Sequence, residues 1–264
     1  MAKSALPSAG ELQFRFVDSL REIEALVHIG GTFLENSAET ILNQFRTNLS
    51  VYQKQPTTGS YSWQIPKTEP IFTKTSERQY EPDSKGSLRV YAAIDGLWPV
   101  RRIPLKGKKT LLPPTYELAA SASTRVRILE APEEGVAKTG EETELAMWRF
   151  EIGDAAAPGC HFHIQVLGQE AKAPFPAALS VPRLPTFLCT LPAVVEFTIG
   201  ELFQDDWPQH VSAKGALFPH WSALQRARLS QVLSWQLGVV KTASPSPWTA
   251  LKRGKPSPGI FVTD

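Results

Sequence analysis

Residues 161 to 167 read His-Phe-His-Ile-Gln-Val-Leu, a strict alternation of polar and apolar side chains. On a β-strand successive side chains point to opposite faces. His161, His163 and Gln165 therefore share one face, and Phe162, Ile164 and Val166 share the other. A neutral imidazole is a nucleophile and proton carrier near pH 7, and neighbouring donors stabilise charge that develops on a substrate. Three polar groups in line can meet a ligand, a metal ion or solvent. In a catalytic reading all three act on a bound substrate. In a structural reading the histidines are satisfied by Glu151 or Asp154 across the preceding turn. In a metal reading the same carboxylates join the two histidines as ligands, but no Cys-x-x-Cys or His-Glu-x-x-His accompanies them, so no metal site is assigned. Cys160 falls on the side of Phe162 and Ile164 and is expected to be a buried, inert thiol.

The seven residues resemble the motif of the histidine-triad superfamily, His-φ-His-φ-His/Gln-φ-φ, where φ is apolar. That resemblance implies a nucleotide-processing hydrolase or transferase. His163 would attack an α-phosphate, His161 would help orient the group, and Gln165 would hold a phosphoryl oxygen. A wider resemblance rests on MWRFEIGD (147–154), PGCHFHIQ (158–165), VPRLP (181–185) and a following helix that ends ELF (201–203). It is to a family of uncharacterised bacterial proteins, and it implies that these segments form one structural unit. That resemblance implies no activity; the function expected is a non-enzymatic binding or accessory component of a bacterial intracellular multi-protein system. Nucleotide processing through His161, His163 and Gln165 is the alternative.

Arginines supply a second candidate site. Arg125 and Arg127 alternate along one strand face, and with Arg101, Arg102 and Lys106 to Lys109 they could gather a nucleotide or nucleic-acid phosphate. The same charges could equally be solvated on an open sheet face. Trp248, in a Pro-rich tail, could anchor a protein partner. No cofactor is called for.

These residues need elements to position them. Phe14, Val17, Leu20, Ile23 and Val27 recur at helical spacing, predicting a helix over 11–29 that Gly30-Gly31 interrupts. Phe33, Ala38, Ile41, Leu42, Phe45, Leu49 and Tyr52 predict a second, with Asn36-Ser37 as its cap, ending before Pro56. Thr57 to Lys85 reads as a long loop, part of which packs. From Ser87 the period changes to two. Asp95-Gly96 signals a hairpin returning through Leu97 to Pro104. Strands are expected over 115–122, 124–130, 145–152 and 160–167. After a Pro-rich crossing over 169–185, Thr190 caps a helix with Pro192 in its first turn, which Asp205-Asp206 closes. The last helix spans 219–240 with Arg226 and Arg228 facing out, and residues 241–264 run along the surface.

Helices, then strands, then helices imply an α+β fold rather than alternating α/β. The sheet is an antiparallel meander flanked by an N-terminal helical pair and two C-terminal helices. One domain over 1–264 is expected, with 1–10 and 241–264 peripheral. Of the 264 residues 42% are hydrophobic and 20% charged, enough for a core without metals or disulfides. The 28 basic and 26 acidic residues balance to +2, which points away from a globally nucleic-acid-binding or membrane-associated surface. With two cysteines, no signal peptide and no membrane-length apolar run, a cytoplasmic location is expected.

Overall fold

The computed structural model describes residues 12–55, 59–77, 88–103, 114–153, 159–167, 183–204, 206–213, 217–242 and 246–262. Asp154, Lys106 to Lys109, Asp205 and the expected leader 1–10 lie outside them. The chain begins with β1 (Gln13–Arg15), α1 (Phe16–Gly30) and α2 (Asn36–Lys54). The strands follow as β2 (Ser60–Ile65), β3 (Ile71–Phe72), β4 (Val90–Arg102), β5 (Thr115–Leu118), β6 (Ala122–Glu130), β7 (Glu144–Ile152), β8 (Phe162–Leu167) and β9 (Leu184–Pro185). Then come α3 (Leu191–Leu202), α4 (Asp206–Ser212), α5 (Leu217–Lys241) and α6 (Pro247–Arg253). The fold is α+β, as the segregated runs predict, with helices before and after an antiparallel sheet.

β4 is the spine of the sheet. Its residues Gly96 and Leu97 pair with β2 on one edge and with β6 on the other. Its far end, Val100 to Arg102, pairs with β5, and β3 pairs with Ala93 and Ile94. β6, β7 and β8 then follow as antiparallel neighbours, with β9 beside β8. Asp95-Gly96 is therefore not a hairpin turn but the middle of a 13-residue strand. The glycine is there for another reason: a Cβ on Gly96 would stand 2.7 Å from the Ser123 carbonyl oxygen of β6. Glycine inside a strand marks such a close backbone approach as readily as a turn. The stretch 57–85 likewise contributes two strands, because Trp63 and Ile65 alternate inward and find a free edge of β4.

The even-numbered residues of β4, among them Ala92, Ile94, Trp98 and Val100, face the helices with Val126, Phe150 and Phe162. Leu26 and Ile29 of α1, Leu42 and Leu49 of α2, and Val194, Val195 and Ile199 of α3 close that core. Gly30 ends α1, but α2 starts without a side-chain cap from Asn36 or Ser37. Thr190 does cap α3, its hydroxyl accepting from the Ala193 N–H at 3.2 Å. The C-terminal stretch is not confined to the surface. α6 packs on α5, and Phe261 stacks on Phe14 with 5.2 Å between ring centroids.

A buried polar joint links α1, α3 and α5. Glu22, 1% exposed, accepts from Thr190 Oγ1 and Gln225 Nε2, each at 2.8 Å, and pairs with Arg228. Arg228 thus points inward, not outward beside Arg226. The two are two residues apart, about 200° around a helix, so they cannot face the same way. Arg228 lies on the side of Trp221 and Val232, both buried.

Candidate functional site

Odd-numbered residues of β4, β6, β7 and β8 project to the face of the sheet away from α1 and α3. The registers set them in rows across four strands. Asp95 stands opposite Arg125, Arg125 opposite Arg149, and Arg149 opposite Gln165. In the neighbouring row Ser123 stands opposite Glu151 and Glu151 opposite His163. The histidine strand and the Arg125–Arg127 strand therefore lie on one continuous polar face.

That face is internally bonded. His163 Nδ1 is 2.8 Å from the Cys160 carbonyl oxygen, and Nε2 is 2.8 Å from Glu151 Oε2. Both partners are acceptors, and the tautomer decides which ring nitrogen donates. Gln165 Nε2 donates to the same Glu151 oxygen at 3.1 Å, and its Oε1 accepts from Arg149 Nη2 at 2.5 Å. Arg149 Nε lies 3.0 Å from the other Glu151 oxygen. Glu151 is the hub of the group. The hydrogen bond from His163, then the charges of Arg149, His163 and Arg183, hold its carboxyl below the usual carboxylate range against the opposing effect of burial. Each added donor favours the charged form.

The face is closed at the histidine. His163 is 2% exposed and Gln165 6%. His161 does not continue the row. It precedes β8, half-buried, with its ring edge-on to Phe162 at 5.0 Å and its carbonyl accepting from the Gly153 N–H at 2.7 Å. On the other side of β8, Phe162 is buried but Val166 is exposed. Cys160 is buried as expected, and burial raises its thiol pKa.

The four arginines fall in two places. Arg125 grips Asp95 through Nε and Nη2, the shortest contact being 2.8 Å. Arg127 is buried, donates to the Gly140 carbonyl at 2.7 Å and keeps its Nε 3.9 Å from Asp95. Gly140 belongs to the loop between β6 and β7, which folds over Tyr91 through the Gly140 N–H and Glu142. Arg101 and Arg102 lie six or more residues further along β4, roughly 20 Å from Asp95 at strand rise. There Arg101 pairs with Glu117 at 2.6 Å and Arg102 donates to the Gln55 carbonyl.

Asp95 is the partner that a turn reading of Asp95-Gly96 hides. Among the described residues, no three His, Cys, Asp or Glu side chains are arranged to hold a metal ion. Among the same residues, no helix is long and apolar enough to cross a membrane. Compared with known proteins, the chain matches no family model, no curated protein and no solved structure.

Proposed function

We propose that this chain works by binding a protein partner, as an accessory component of a bacterial intracellular multi-protein system, rather than by turning over a nucleotide. The observation that carries this is the bonding of His163. A nucleophilic imidazole needs a lone pair and an approach to its substrate. His163 has both nitrogens committed to acceptors and almost no exposed surface. Gln165, which would hold a phosphoryl oxygen, spends its amide on Glu151 and Arg149. Of the arginines nearest to them, Arg125 is paired with Asp95 and Arg149 with Glu151.

The test is calorimetric titration of the full chain with ATP, GTP and their diphosphates, followed by chromatography of the mixtures. Neither binding below millimolar concentration nor product is expected. Turnover of any of these nucleotides, lost in His163→Ala with the melting temperature unchanged, would overturn the reading and restore the histidine-triad alternative.

A further inference from the structure

We infer that the outer face of α5 is the docking surface, and that its occupant is an acidic amphipathic segment of a partner protein. This rests on the binding reading above. α5 is 25 residues long, and its inner face, with Trp221, Gln225, Arg228 and Val232, is buried. Leu233, Leu237 and Val240 recur at i, i+4 and i+7, so they form one stripe about two turns long. All three are exposed, Leu237 by 54%. A single exposed leucine needs no explanation, whereas an aligned set does. Gln236, on the flank of this stripe, donates to the Thr186 carbonyl at 3.0 Å. Phe187, the next residue in the chain, is exposed. At the C-terminal end, α6 packs on α5 and presents Trp248, 70% exposed, with Lys252 one turn later on its own face.

Charge decides the occupant. From Trp207 to Val262 the sequence contains no Asp or Glu, while Lys and Arg recur throughout. Arg226 and Lys241, both exposed, lie on the stripe's side of α5, at either end of it. Of the acids on α1, Glu22 is spent on Gln225 and Arg228 of the inner face, and Asp18 and Glu24 meet the opposite flank of α5 beside Leu224, where Glu24 also pairs with Arg46 at 2.9 Å. An apolar stripe framed by cations is complementary to apolar side chains flanked by carboxylates. A second copy of the chain fits poorly, because a two-fold contact would set these cations against themselves. A membrane surface also fits poorly. Membrane-lying helices insert a broad apolar face, and here the broad face is already spent on the core.

The probe is a fluorescein-labelled helical peptide of about 16 residues with Leu at i, i+3, i+4 and i+7 and Glu elsewhere. A peptide with Lys for Glu and a scrambled one are the controls, and each is titrated with the full chain by anisotropy. The Glu peptide is expected to bind, more weakly as salt rises, and the two controls at least tenfold more weakly. Leu237→Glu and Arg226→Glu should each weaken binding at least tenfold without lowering the melting temperature, since both side chains are exposed. The proposal is overturned if the Glu peptide does not bind or if neither variant weakens it. It is equally overturned if the chain instead binds phosphatidylglycerol vesicles, or forms a dimer that Leu237→Glu dissociates. None of these outcomes produces nucleotide turnover, so failure here is distinct from failure of the binding reading.

Discussion

Glu151 and His163 face each other across β7 and β8, with Oε2 and Nε2 2.8 Å apart. The second ring nitrogen is held by the Cys160 carbonyl, so the histidine ties the strand to the residues that lead into it. His163→Ala removes two hydrogen bonds and leaves the buried Cys160 segment and the Glu151 carboxylate short of a donor. An orphaned buried acceptor costs about 1–3 kcal/mol, so the melting temperature should fall by several degrees. The loss should depend on pH. The Glu151 carboxyl is lowered in the folded state, so its contribution is present above the unfolded carboxylate pKa and disappears as pH falls through the folded one. The gap in melting temperature between native and variant should be full at neutral pH and narrow on acidification. A gap of the same size in strong acid would show that the loss has another cause.

The Glu22–Arg228 pair should behave as a buried charge pair. Arg228→Met strands a carboxylate that is almost wholly inaccessible, for a cost of about 3–5 kcal/mol in urea unfolding. Glu22→Gln combined with Arg228→Met removes both charges and should recover part of that loss, because Thr190 and Gln225 can still bond the amide. If the single variant lies within about 1 kcal/mol of native, the pair is not holding α1 to α5.

Glu196 on α3 should make the fold less stable in mild alkali. Burial, and then the charge of Glu22, push its carboxyl up to about 8. A carboxyl raised on folding binds more protons in the folded state, so stability falls as pH climbs from the ordinary value of 4.5 towards 8. Glu196→Gln cannot ionise and should flatten that slope. Its melting temperature should match native in mild acid and exceed it by a few degrees in mild alkali. Parallel melting curves for the two proteins across that range would sink the assignment.

Much of the local structure was legible because it depends on near neighbours. The alternation from His161 to Leu167 specifies a strand from Phe162 onward and sets His163 and Gln165 on one side of it. Gly30 at the end of α1, the Thr190 cap and the segregation of helices from strands are likewise written in short stretches. Within β4, Asp95-Gly96 misleads for a physical reason. A turn and a close strand contact both require a residue without a side chain, and the sequence does not distinguish them.

The types of the site residues, their spacing and the common face of His163 and Gln165 on β8 were determined by the sequence. Whether that face opens to solvent was decided by the tertiary structure. The register that places Glu151 opposite His163 and Arg149 opposite Gln165 turns a row of apparent catalysts into a bonded group. The same holds in the core, where Arg228 meets Glu22 across 206 residues of sequence. Such partners are chosen by packing, since a buried charge must find its counterion wherever the fold brings one. The exposed stripe of α5 is the converse case. Leu233, Leu237 and Val240 carry the periodicity of a core face, and only the packed structure leaves them uncovered.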